Sequence, residues 1–276
     1  MKNILLRIVF IFVVMFSSYS FAQTDSTNQI YGWKHTVVAG ITGTQMSFKD
    51  WAQGGENALS YSALVDGKSI QDLESTNWSN SYKLAYGQTR LGSKPLRKTE
   101  DKLEFESVLT YKVGTVINPY VSASLKTQFD VGYKYDDASN TQTPVSRLWA
   151  PAYLQQSIGA GYQPIAQLKT RLGAALREVR SKAGYIENNK TEGGLESITD
   201  GEFIFQENVR LTSKLEMFAP FNTLDVVVVR SDNMLAVKIT KIVSITFNAQ
   251  FINDANIAPQ TQIKEILGLG IVYALL

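Results

Sequence analysis

The stretch VSASLKTQFDVGYKY, residues 121–135, decides what kind of chain this is. Its odd positions read Val121, Ala123, Leu125, Thr127, Phe129, Val131, Tyr133 and Tyr135. Its even positions read Ser122, Ser124, Lys126, Gln128, Asp130, Gly132 and Lys134. Side chains of an extended chain alternate between two faces, so fifteen residues in a row present one apolar and one polar face. Globular strands run to about 5–6 residues. A strand of this length belongs to a sheet that crosses something thick.

The pattern recurs along the chain. Leu103, Phe105, Leu109 and Tyr111 oppose Lys102, Glu104, Glu106 and Lys112; Val243, Ile245, Phe247, Ala249 and Phe251 oppose Ser244, Thr246, Asn248 and Gln250. The periodicity predicts strands over 33–48, 57–70, 77–91, 101–115, 118–135, 146–162, 165–181, 193–206, 208–219, 225–240, 242–254 and 263–275. Twelve is an even number, as bacterial single-chain outer-membrane barrels have.

A secreted β-sandwich alternates too, with its apolar face inward. Three features favour the barrel. Strands of twelve to eighteen residues fit tilted spans that protrude beyond an apolar band of ~25 Å. Aromatics collect towards strand ends, as in Trp33, Phe48, Trp78, Tyr133, Tyr135, Phe221 and Tyr273. Connections after even-numbered strands are short (113–119, 161–165, 206–209, 240–243), while those after odd-numbered strands are mostly longer and polar, 69–76 being long for its place. The expectation is an all-β fold, a transmembrane antiparallel up-and-down β-barrel of about 12 strands, with a soluble β-sandwich binding protein as the distant alternative.

The amino terminus supplies the route to the membrane. Lys2 and Arg7 precede a short apolar core, residues 8–16, and Ser20-Phe21-Ala22 places small residues at a cleavage site. That is the anatomy of a signal peptide over 1–22, with the barrel domain over 23–276. The apolar core falls short of the ~20 residues of a spanning helix. No cysteine exists in the chain, which excludes disulfides, thiolate nucleophiles, Cys-type metal sites and a lipid-modified terminus. A net charge of +2 with interspersed signs argues against nucleic acid as a partner.

WAQGGEN, residues 51–57, falls in the first outward loop. Together with Lys214-Leu215-Glu216-Met217-Phe218, Asp232-Asn233-Met234-Leu235, and the run from Gln262-Ile263-Lys264-Glu265 to Tyr273, it resembles an uncharacterised outer-membrane barrel family of Bacteroidetes, the domain-of-unknown-function family numbered 3078. The chain departs from such barrels at its end, Leu275-Leu276, where an aromatic is common. The resemblance implies a barrel in the outer membrane and carries over no activity.

Candidate chemistry is sparse. Gly54 and Gly55 permit a tight reversal, so Trp51, Gln53, Gly54, Gly55, Glu56 and Asn57 read either as a structural turn or as a loop offered to a ligand or partner. Glu104 and Glu106 would lie ~6.7 Å apart along a strand, within the range of inverting glycosidases, but any such pair gives that spacing. A ladder of salt bridges inside the barrel, with Lys126, Lys169, Arg171, Arg177 and Arg210, is the simpler reading. The single histidine, His35, shares parity with Val37 and Ala39 and points at lipid. Asp136, Asp137 and Asn140 are oxygen donors on a loop, read as solvated before metal-binding. Residues 87–94, GQTRLGSK, imitate a phosphate loop, with the serine on the wrong side of the lysine and no helix to follow.

The function expected is therefore non-enzymatic, with no cofactor, metal or catalytic residue: a narrow passive pore for ions or small solutes, or a plugged barrel. The alternative is a structural or scaffold partner in an envelope complex, so the partners are outer-membrane lipid and an envelope protein. Mixed lumenal charge favours occlusion, because an open selective pore would carry an excess of one sign.

Overall fold

The computed structural model describes residues 31–48, 56–182, 189–224, 226–255 and 259–274. The signal segment and residues 51–55 of the WAQGGEN loop lie outside the described residues. Fourteen strands follow in chain order: β1 (Gly32–Met46), β2 (Ala58–Asp72), β3 (Thr76–Leu91), β4 (Arg97–Tyr111), β5 (Ile117–Thr127), β6 (Gly132–Asp136) and β7 (Thr141–Ser146). Then come β8 (Ala152–Ile165), β9 (Leu168–Arg180), β10 (Lys190–Gln206), β11 (Val209–Pro220), β12 (Val228–Lys238), β13 (Val243–Asn253) and β14 (Gln262–Ala274). Twelve of them close into an antiparallel barrel, each strand beside its neighbour in the chain, and β6 and β7 pair with each other alone. Closure between β1 and β14 runs from Val38 opposite Ala274 to Thr42 opposite Gly270. The sandwich alternative is ruled out by that closure.

One strand differs from expectation. The alternation of 121–135 continues unbroken in sequence, yet the barrel strand β5 ends at Thr127. The chain then folds over the outer face of β3 and β4. Asp101, with its side chain 2% exposed, accepts the backbone N–H groups of Phe129 and Asp130, each at 3.0 Å. Lys98 reaches Asp101 at 2.6 Å and the Asp130 carbonyl at 2.8 Å, and the Tyr86 hydroxyl donates to Asp130 at 2.8 Å. These bonds bend the chain out of the wall, and Gly132–Asp136 becomes one arm of a hairpin. For the same reason the strand expected from residue 146 begins at Ala152, since Ser146 closes the hairpin's other arm.

Connections alternate as closure requires. At the end where β1 enters they are residues 73–75, 112–116, 166–167, 207–208 and 239–242; at the other they are 47–57, 92–96, 128–151, 181–189, 221–227 and 254–261. We refer to these as the turn end and the loop end. The connection at 69–76 is short after all, because β2 runs on to Asp72.

The two faces of the wall are opposite in character. Outward positions carry large apolar groups in the open: Leu267 is 72% exposed, Ile41 66% and Ile158 64%. Phe247 sits between Leu235 and Leu267 of its neighbouring strands, all three outward. Trp33, Trp78, Tyr111 and Tyr162 ring the outside at the turn end, and Tyr61, Phe129 and Phe251 do so towards the loop end. Inward positions carry the chain's buried charge, with Glu196 at 1% and Arg177 at 4% exposure. Val, Ile, Phe and Tyr suit strands because their bulk near the backbone packs on a pleated surface; here the surface they cover faces outward.

Candidate functional site: the bridged lumen

The interior of the barrel is crossed by ion pairs. In the ring of twelve strands β4 and β12 stand six places apart, on opposite walls. Asp232 of β12 takes Lys83 of β3 at 3.1 Å and Lys102 of β4 at 3.2 Å, and the Asn248 amide donates to it at 2.6 Å. Glu106 of β4 accepts from Arg171 of β9 and from Lys214 of β11, the latter at 2.6 Å. Glu216, two residues beyond Lys214, pairs with Lys126 of β5. Lys264 of β14 reaches across to Glu100 of β4. These bonds join walls, and only the strand parity of a closed ring brings such distant residues together.

A second group fills the β8–β11 side. Glu196 accepts from the Tyr120 hydroxyl at 2.9 Å and from Ser157 and Gln155, with Arg171 Nε 3.5 Å away. Gly173 is needed beneath Tyr120, and its cross-strand partner Gly159 is needed for the close approach of β8 to β9, where a Cβ would collide with the Leu172 carbonyl. A Cβ on Gly173 would come within 2.5 Å of the Tyr120 hydroxyl, so glycine there lets the ring lie against the wall. Towards the loop end Arg177 lies 3.4 Å from Asp254, with Arg230 3.9 Å from the same carboxylate. Both guanidinium groups stand over Tyr153, at 5.4 Å and 4.5 Å from the ring centre. What remains between Lys126, Gln155, Arg177, Glu216, Phe218 and Arg230 is a cavity of about 40 Å³, room for a few waters at ~10–15 Å³ each.

The residues singled out in sequence are distributed unevenly over this interior. Glu106, Lys126, Arg171 and Arg177 stand in the bridges. Glu104 is the cross-strand neighbour of Lys83 and Lys126, and Lys169 that of Asp200. Arg210 sits at the turn-end mouth, half exposed, 3.3 Å from an equally exposed Glu202, and bridges nothing across the lumen. Tyr120, Glu196, Lys83, Asp232 and Lys214 were not singled out, though they hold the centre. A signal for some of them was present: the stretches that carry the family resemblance contribute Lys214, Glu216, Phe218, Asp232 and Lys264 to the interior.

Of the WAQGGEN loop, Glu56 and Asn57 are described. The Asn57 side chain accepts the Phe48 N–H at 2.7 Å and its carbonyl accepts the Gly92 N–H at 2.7 Å. Gly92 has φ +56, and the Glu56 carboxylate lies where its Cβ would be. Trp51, Gln53, Gly54 and Gly55 lie outside the described residues. Residues 87–94 form the end of β3 and its turn, with Lys94 N–H donating to the Leu91 carbonyl. His35 is on the outer face, 2.9 Å from Ser69 and stacked on Trp33.

The β6–β7 hairpin uses its carboxylates on itself and on β4. Asp136 accepts the Ala138 and Ser139 N–H groups, an arrangement that lets a short polar side chain shape a turn. Asp137 is engaged by Arg97 at 2.5 Å and Lys94 at 3.0 Å, and the Arg97 guanidinium also stands 4.1 Å over Tyr135. The Arg97 hydrogen bond first, and Lys94 next, hold the Asp137 carboxyl down to about 2. A carboxyl held low in the folded state contributes its anchoring above the ordinary carboxylate value and loses it as pH falls through the lowered one. Measured against pepsin's cutting of an unstructured peptide at the same pH, the hairpin is therefore expected to be cut slowly near pH 4 and readily near pH 2, and the Asp137→Asn hairpin at one relative rate at both. Equal relative rates for the wild type would remove Asp137 as the anchor.

No curated protein matches the chain. Among solved structures it is similar to the translocator domain of the autotransporter NalP from Neisseria meningitidis (12% identity, TM-score 0.38, 90% of each chain covered). It is similar also to the COG4313 outer membrane channel from Pseudomonas putida F1 (11% identity, TM-score 0.42, 92% of this chain and 99% of that one). A third is the outer membrane channel DcaP of Acinetobacter baumannii (9% identity, TM-score 0.31, 89% and 96%). Values this low speak to neither role nor ligand, which must come from the chain's own residues. Sequence goes further: WAQGGEN lies inside the matched stretch of a family model and the other resembling stretches lie beyond it. From the end of β1 to the start of β6, residues 44–133, the chain matches the model of the family described as "Protein of unknown function (DUF3078)".

Proposed function

We propose that this chain is an outer-membrane barrel with a closed lumen, non-enzymatic, which serves as a structural partner in an envelope complex through its loop end. The observation that supports membrane residence is the outer wall. Contiguous exposed apolar patches beyond a few hundred Å² are rare on soluble monomers, and here the apolar band runs around the barrel. With no water in a bilayer core, a closed barrel is also one of the two backbone arrangements that satisfy every ladder hydrogen bond. Residues 1–22 are then a cleaved export signal, and outer-membrane lipid is the permanent partner.

A narrow pore is the second reading. Its support is the inner wall of β14, β1 and β2, where Gly268, Gly270, Gly40, Thr42 and Ser62 are all small. Against it stand the cross-lumen bridges, which leave few cations unmatched.

Topology tests the placement. Short turns face the periplasm in such barrels and long loops the exterior. Single cysteines at Asn140 and Asn208, in a chain with no cysteine of its own, separate the two ends. An impermeant reagent on intact cells is expected to label the first and to reach the second after permeabilisation. The opposite order would invert the barrel, and recovery of the chain from the soluble fraction would refute membrane residence.

A further inference from the structure

On the outer face at the turn end, four strands bring their outward residues into rows. Trp33, Gln71, Trp78 and Leu109 form the outermost row. The next row inward is His35, Ser69, Asn80 and Ser107, polar at every position. The third is Val37, Gly67, Tyr82 and Phe105. The polar row thus lies between a row that carries Trp33, Trp78 and Leu109 and one that carries Val37, Tyr82 and Phe105, so polarity changes sharply along the barrel axis here.

The row is also incompletely satisfied. Ser107 accepts the Trp78 indole N–H at 2.8 Å and Ser69 is bonded to His35 Nδ1 at 2.9 Å. The Asn80 carboxamide has no hydrogen-bond partner among the described residues, and neither has His35 Nε2. An amide left unpaired in an apolar medium carries the cost of a lost hydrogen bond, and on β12 an outward carboxamide avoids it. Asn233, the outward carboxamide of β12, is bonded to Ser213, Ser231 and the Ala249 carbonyl. Asn80 instead opens onto a groove of about 390 Å³ lined by Trp33, His35, Ser69, Asn80, Tyr82 and Phe105. The Tyr82 ring lies flat over Gly67, where any Cβ would collide with it, and this keeps the groove's mid-barrel side smooth.

We propose that this groove is a binding site for one glycerophospholipid of the leaflet at the turn end. The polar row meets the ester and phosphate oxygens, with Asn80 as donor, and the Tyr82 and Phe105 rings carry an acyl chain towards mid-barrel. Trp33 and Trp78 stand on the headgroup side, where indoles sit in membrane interfaces. The site rests on the membrane reading above, since only a bilayer puts an amphiphile of this orientation against the wall. An amphiphile fits where a soluble ligand does not, because polarity changes along the barrel axis within one groove.

The test uses the full mature chain, purified in mild detergent, stripped of lipid and titrated with palmitoyl-oleoyl phosphatidylethanolamine under native mass spectrometry. One lipid is expected to bind ahead of any others. Asn80→Leu removes an unpaired amide and is expected to fold as well as the wild type while weakening that first lipid by about tenfold, the scale of one well-placed hydrogen bond. His35→Leu is the second variant, with a smaller loss, and Ile158→Ala on a distant strand should bind as the wild type does. Heat-modifiable gel migration reports that each variant is folded. Equal first-lipid affinity in wild type and both folded groove variants would overturn the site while leaving the barrel in its membrane. A chain that needs no detergent to stay in solution would overturn the membrane reading itself, and the site with it.

Discussion

Glu106→Ala is expected to lower the stability of the barrel by about 3–5 kcal/mol, the usual consequence of leaving buried charge without its partner. Glu106 is 15% exposed and holds Arg171 and Lys214 at once. Its loss strands two cations within a ring that already carries Lys126 and Lys102. Glu216 and Glu196 can each recruit one of them, being 3.5 Å from Lys214 and from Arg171, which places the expected cost towards the lower figure. Replacing Glu106 and Lys214 together by methionine should recover most of it, because Arg171 then keeps Glu196, Glu216 keeps Lys126, and no buried charge is left behind. Unfolding in urea from lipid vesicles measures both variants. A double variant weaker than Glu106→Ala alone would mean that the network stabilises through something other than mutual neutralisation.

Phe247→Arg is the second large effect, with an expected cost of about 2–4 kcal/mol for a cation near the bilayer midplane. Its directly opposite neighbours are Leu235 and Leu267, and the nearest outward carboxylate, Glu265 opposite Ala249, is one step further towards the loop end, which places the expected cost towards the lower figure. Leu125→Arg, between Phe105 and Leu154, should follow it, with a lower cost where β5 nears its loop-end limit at Thr127. The same folding titration applies. Wild-type stability in both would contradict the assignment of these faces to lipid, since a water-facing Arg at such positions costs little.

What sequence shows of this molecule is set by how far apart the interacting residues are. Period-two alternation is local, so twelve barrel strands and their two faces are legible from Val121, Leu125, Phe247 and their like. The departure of the chain at Thr127 is not, because residues 128–135 keep the same alternation while their course is fixed by Asp101 and Lys98, more than twenty-five positions away in the chain. The interior follows the same rule. Residue types facing inward can be read strand by strand, as with Glu106 and Lys126. Their partners depend on ring closure, which brings Lys264 to Glu100 over 164 positions. Hence Asp232 and Lys214 stand at the centre through ring closure, and their one sign in sequence is the family-resembling stretches that carry them. Arg210 illustrates the converse: correct parity places it inward, and its height along the barrel puts it at an open mouth.

The central claim is that the lumen is closed by charge pairing between opposite walls. Planar-bilayer recording of the purified full-length barrel at neutral pH tests it most directly. The wild type is expected to show no steady single-channel conductance, and Glu106→Ala to show discrete openings as Arg171 and Lys214 lose their shared anchor. Stable ohmic steps from the wild type, unchanged in Glu106→Ala, would contradict the account: ions would then pass beside the bridges, and the barrel would be a pore.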